Sequence, residues 1–252
     1  MGPILPEHQQ RGWEAASDTT AHTRDMERFA DRIDAGRQLA RRLEDYRATN
    51  LVVLGLPRGG VPVGYQVAHA LGAPLDVLIV RKLGVPRQPE LAFGAIGEGG
   101  VKLLNDLVMR YEQVSGDDVA AVEAVERPEL ERRAALYRNG RPALDLSGRS
   151  ALIIDDGFAT GATARVACMI ARAQGAARVI LAAAIGPRNA VAELAGFDAV
   201  IDDVVCLGTP AQFTSVGQGY VDFGQTSDSE VCDLLQRSRA AGPGSGTAAR
   251  GQ

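Results

Sequence analysis

The sequence predicts an α/β domain: a parallel sheet of about five strands with helices on both faces, a flexible hairpin and a small C-terminal hood. Three observations carry this prediction. A short, continuously apolar run at 51–54, a second buried strand at 75–80 and further strands at 150–154, 177–185 and 199–207 have the composition expected of a sheet covered on both faces. Stretches of helical spacing separate them, so successive strands need right-handed crossovers. Of 252 residues, 46% are hydrophobic and 23% charged, which suits one globular domain and excludes collagen-like, coiled-coil and wholly disordered chains.

The elements follow in order. Residues 1–24 lack the apolar stretch of a signal peptide and read as a loose polar tail. Residues 27–47 carry Phe29, Ile33, Gly36, Leu39, Leu43 and Tyr46 at three- and four-residue steps, an amphipathic helix. Its arginines alternate with acids (Arg28, Asp31, Arg32, Asp34), as on a solvated, ion-paired face. After the first strand comes the turn Pro57-Arg58-Gly59-Gly60, then a helix to Leu71. The second strand, 75–80, is followed by Arg81 and Lys82. Residues 84–106 are rich in Gly and Pro and read as a mobile hairpin. Ser115 and Asp117 are candidate caps of a helical pair interrupted at Pro128. Two further strand–helix units precede an irregular lobe at 208–225. Ser227-Asp228-Ser229-Glu230 is a capping box for a last helix through Leu235. Residues 240–252 read as a flexible tail, which leaves 25–239 as the domain.

Composition excludes several functions. The formal charge is 27 − 31 = −4, so no net positive field draws the chain onto nucleic acid, although a local loop can still bind a small anion. No apolar run approaches the roughly 20 residues needed to span a bilayer. Cys168, Cys206 and Cys232 are odd in number and far apart; they read as buried apolar side chains of a cytoplasmic protein, not as a disulfide or metal framework. His8, His22 and His69 are too scattered for zinc, and no dedicated metal site is expected.

The chemistry concentrates in 151–163, Ala-Leu-Ile-Ile-Asp-Asp-Gly-Phe-Ala-Thr-Gly-Ala-Thr. An apolar strand ends in two acids, Asp155 and Asp156, and a small-residue loop then opens a helix. Ligands of open α/β sheets bind beyond the carboxyl ends of strands. Ala159, Thr160, Gly161, Ala162 and Thr163 let backbone N–H groups converge on a phosphate. Acids beside a phosphate would repel it unless they contact another part of the same ligand, and a sugar hydroxyl pair is the natural candidate. A Walker loop needs Lys after the glycine, and Ala162 stands there; the dinucleotide G-x-G-x-x-G spacing is also absent.

On these residues the sequence resembles the type I phosphoribosyltransferases, whose PRPP-binding motif covers all thirteen positions. The resemblance implies that Asp155 and Asp156 hold the ribose hydroxyls and that 159–163 hold the 5′-phosphate. It further implies that Arg58, Gly59 and Gly60 form the pyrophosphate loop. Arg81-Lys82-Leu83-Gly84 is similar to the Arg-Lys-x-Gly segment of the adenine-type members, and implies two cations at the departing pyrophosphate. The hairpin then matches a loop that closes over the site, and 208–225 a hood that contacts the acceptor base. The implied activity is transfer of phosphoribosyl from PRPP to a small nitrogenous base in nucleotide salvage. Mg²⁺ would be carried mainly by the ligand, and a homodimer is the usual assembly.

Members acting on 6-oxopurines carry an acid where Ala159 stands. A methyl group cannot serve as a base, so guanine and hypoxanthine are expected to be poor acceptors, and Glu98 in the hairpin is the candidate base. A competing reading is a PRPP-binding regulator with little transferase activity. A plain sugar-phosphate-binding domain would need neither Arg81-Lys82 nor a closing hairpin.

Overall fold

The computed structural model describes residues 28–47, 50–197 and 199–241. The expected N-terminal tail lies outside these residues, as do 242–252 of the expected C-terminal tail.

Strand β1 (Leu51–Gly55) is an interior strand of the sheet, as its composition requires: all five residues are apolar or Gly, and all five are buried. With β2 (Leu75–Val77), β6 (Ser150–Asp155), β7 (Arg178–Ile185) and β8 (Asp203–Gly208) it forms a five-stranded sheet in the order β2-β1-β6-β7-β8. Every pairing in it is parallel. Alternate residues feed two cores. Val53, Leu152, Ile154 and Ile180 pack with α1 (Arg32–Arg42), α2 (Gly60–Leu71) and α7 (Asp228–Ala241). Val52, Leu54, Ile153 and Leu181 pack on the other face with α5 (Ala162–Ala173) and α6 (Arg188–Ala195). Two buried faces explain why β1 reads as a continuous apolar run and why β6 and β7 are apolar between their ends.

A second, antiparallel sheet β3-β4-β5 is made by Val80–Val85, Gln88–Gly97 and Lys102–Leu104. The expected second strand, 75–80, is therefore two strands, with β2 ending at Val77 and the hairpin beginning at Val80. Asp76 sits inside β2 at 1% exposure. An acid buried there needs a cation, and that cation comes from α4, across the chain. Helices α3 (Asp106–Tyr111) and α4 (Gly116–Arg138) complete the order.

The expected break at Pro128 does not occur, and α4 runs through it as one helix. Proline gives up the hydrogen bond to Ala124's carbonyl. Flanking Arg127–Glu123 and Arg133–Glu129 pairs, and burial of Leu130 and Tyr137, offset that loss. Ser115 caps α4 with a full capping box, and Ser227 Oγ accepts from Glu230 N at 3.1 Å at the start of α7. The N-terminal helix is shorter than its periodicity predicts, because Phe29 leaves it to bridge Tyr220 in the hood. The last helix is longer and takes in Ala240 and Ala241.

Candidate functional site

The carboxyl ends of β1 and β6 lie side by side, with Gly55 opposite Ile154. The loops leaving them therefore meet. A Cβ on Gly60 would collide with the carbonyl of Ile154, and one on Gly59 would lie 2.5 Å from Asp156 Cγ. Glycine at both positions is what allows the 57–60 turn to close against the acid pair. Arg58 stands at this junction, half exposed, 3.9 Å from Asp228 Oδ1; its peptide with Pro57 is cis.

Asp155 ends β6, and its Oδ1 accepts from the Asp156 N–H at 2.9 Å. Burial first, and then the neighbouring charge of Asp156, push the Asp155 carboxyl well above the usual carboxylate range. Asp156 is 9% exposed, with Arg32 Nε donating to its Oδ2 at 2.7 Å. Its backbone carbonyl accepts from the Tyr220 hydroxyl at 2.5 Å. Burial, followed by the Asp156 charge, raises the Tyr220 pKa too.

Beyond the acids, Gly157 packs under Ile185 and Val216, where a Cβ would lie 2.7 Å from Ile185 Cγ2. Gly161 takes φ +70° as N-cap of α5, and its bare Cα faces Leu194. Ala159, Thr160, Ala162 and Thr163 are all exposed. The first turn of α5 thus presents its N–H groups past small side chains, an arrangement suited to an anion.

The structure brings together Asp155, Asp156, Gly59, Gly60 and Arg58, and opens residues 159–163 at the next helix start. Three expected residues stand differently. Arg81 and Lys82 do not end a sheet strand; they lie inside β3, where Arg81 bonds Glu126 of α4 (Nε–Oε2 2.6 Å) and Lys82 is exposed. Glu98 opens the short turn 98–100 between β4 and β5. Its carboxylate pairs with Arg138, whose Nε also reaches Asp76 Oδ1 at 2.9 Å. The Arg138 and Glu98 side chains are 3% and 12% exposed. Burial would drain charge from that guanidinium, but Glu98 and Asp76 outweigh it and its pKa rises. This cluster fixes the hairpin sheet to the core, and Glu98 is part of that framework.

The sequence reading missed Arg32. Its place among alternating charges in the N-terminal helix looks like surface, and no local pattern marks a partner 124 residues away.

A family model, the phosphoribosyl transferase domain, matches residues 26–205. A protein of Mycobacterium tuberculosis (strain CDC 1551 / Oshkosh) that carries the provisional name phosphoribosyl transferase MT0597 is 59% identical over 216 residues, covering 84% of this chain and 47% of that protein. Its counterpart in strain ATCC 25618 / H37Rv, Rv0571c, is equally similar. The chain spans about half the length of these curated relatives. The crystal structure of TT1426 from Thermus thermophilus superposes with a TM-score of 0.76 at 40% identity, covering 83% of this chain and 98% of that one. With a family model over most of its length, and the acid pair and small-residue loop in sequence where the sheet opens, this chain belongs to the phosphoribosyl transferase domain family.

Proposed function

We propose that the protein transfers the 5-phosphoribosyl group of PRPP to a nitrogenous base and releases pyrophosphate, in cytoplasmic nucleotide salvage and as a homodimer. One observation carries the reading: two acids and an open, small-residue helix start follow each other on one loop, with a glycine turn closed against the second acid. That loop has the donors for a 5′-phosphate and the acceptors for two ribose hydroxyls, spaced along a single ligand.

In this reading the N–H groups and hydroxyls of 159–163 hold the phosphate, and Asp155 and Asp156 orient the sugar. Arg58, with Arg81 and Lys82 from the hairpin, stabilises the pyrophosphate as its bond to the anomeric carbon lengthens. Catalysis is positioning plus charge stabilisation, with no covalent enzyme intermediate. The hairpin would exclude water from an oxocarbenium-like centre. Among the described residues no three His, Cys, Asp or Glu side chains converge as a metal cage. A Mg²⁺ ion fits this site as a passenger on the substrate's oxygens, with Asp155 and Asp156 as the protein's oxygen donors. When bound it would neutralise charge on the leaving group.

Ala159 offers no proton acceptor, and Glu98 is held by Arg138, so the reading favours an acceptor other than a 6-oxopurine. The test is to incubate the protein with PRPP, Mg²⁺ and a panel of nucleobases and to measure pyrophosphate release. Release with an amino-bearing or non-purine base supports transfer. PRPP binding with no release on any base would point to the regulatory reading, and absence of PRPP binding would sink both.

A further inference from the structure

We propose that Arg32, on the first turn of the N-terminal helix, is a positioning residue that aims the Asp156 carboxylate at the sugar and couples it to the hood. The proposal rests on the reading that Asp156 holds a ribose hydroxyl; it adds a residue that acts through that acid without touching the ligand itself.

The Arg32 guanidinium is held on three sides. Nε donates to Asp156 Oδ2 at 2.7 Å, Nη1 donates to the carbonyl of Gly224 at 2.5 Å, and its Cζ lies over the Phe223 ring, 4.1 Å from the centroid. The paired side chains are only 14% and 12% exposed. A charge-assisted bond in such a place is directional and weakly screened. Among the described residues Arg32 is the only cation bonded to the acid pair, and the Asp156 carboxylate is also within side-chain hydrogen-bonding reach of the buried Asp155 carboxyl. The guanidinium therefore anchors Oδ2 and fixes the plane in which the Asp156 carboxylate meets a ligand hydroxyl.

The anchor is itself fixed. Phe29 N donates to Gly219 O at 2.8 Å, Val221 N to Phe29 O at 2.8 Å, and Asp222 N to Ala30 O at 2.9 Å. Residues 29–30 thus lie along the hood segment 219–222, and the Phe29 and Tyr220 rings pack at 5.5 Å. Tyr220 in turn holds the backbone carbonyl of Asp156. Hood and helix start grip the second acid from its main chain and its side chain together, so the carboxylate's aim depends on where the hood sits. The 5′-phosphate loop at 159–163 has no bond to Arg32, and its grip on phosphate is independent of this contact.

The decisive experiment compares ribose 5-phosphate, 2-deoxyribose 5-phosphate and inorganic phosphate by calorimetry, with no acceptor and no turnover. The wild-type protein should prefer ribose 5-phosphate over its 2-deoxy analogue by about tenfold or more, the worth of one hydrogen bond to a charged group. Arg32→Gln should bring that ratio to within about twofold of unity while inorganic phosphate binds as before. Phe223→Leu removes the ring that seats the guanidinium at an exposed position, and should cut the ratio by roughly two- to fivefold. An unchanged ratio in Arg32→Gln overturns the proposal, as does loss of phosphate binding along with it. If Arg32→Gln does not fold, an unchanged ratio in Phe223→Leu overturns it instead. Failure of the wild-type protein to bind ribose 5-phosphate at all is a different result, and it removes the phosphoribosyl reading itself.

Discussion

Gly59 and the Asp156 carboxylate occupy one space with no room for a methyl group: a Cβ on Gly59 would lie 2.5 Å from Asp156 Cγ. Gly59→Ala should displace the acid or the turn. We expect a stability loss of about 1–3 kcal/mol, typical of overpacking, and at least a tenfold weaker affinity for PRPP, roughly the effect of one lost charge-assisted hydrogen bond. Thermal melts and calorimetry on the purified variant check both. Wild-type affinity in Gly59→Ala would mean that Asp156 plays no part in binding.

Asp155 carries a carboxyl raised by burial and by the charge of Asp156. Its ionised form opposes folding at neutral pH, because a raised folded pKa stabilises only below the unfolded value and that gain is lost as pH rises through the folded one. Asp155→Asn removes the conflict. We expect Tm to rise by roughly 2–4 °C, what about 1 kcal/mol gives a chain of this size, while PRPP binding falls. A lower Tm would show that the acid is structural.

Arg138 bridges Asp76, Glu98 and the carbonyl of Val77 inside the protein. Arg138→Met would leave Asp76 buried without its closest cation, since Arg239 stands 3.8 Å away and is partly exposed. A cost of about 3–5 kcal/mol is expected from breaking such a pair, read as a shift in the urea midpoint. Glu98→Gln should lower stability more than turnover, whereas a selective loss of turnover would restore Glu98 as a base.

Tyr46 and Tyr137 are each pushed up to about 12, first by burial and then by hydrogen bonds to Asp203 and Asp228. With an unfolded value of 10.0, their contribution is whole below about pH 10 and is lost as pH rises toward about 12. Urea midpoints should fall over that window. The double variant Tyr46→Phe/Tyr137→Phe, unable to ionise at either position, should show a shallower fall.

The sequence by itself determined everything whose cause is local. Apolar runs marked the sheet strands, since residues buried on both faces must be apolar. Ser115 and Ser227 marked helix starts because a cap acts within three residues. Asp155, Asp156 and the loop to Thr163 were legible as a candidate site because strand end, acids and helix start are contiguous in the sequence. Only the tertiary structure decided which charges meet. Asp76 lies inside a buried strand, and α4 brings Arg138 to it, while the same guanidinium pairs with Glu98. Arg81 found Glu126 in the same way. Arg32 reached Asp156 because residues 29–30 lie along the hood. The physical reason is common to all of these: a buried charge needs a partner of opposite sign at bonding distance, and spacing along the chain says nothing about which distant residue the packing will deliver.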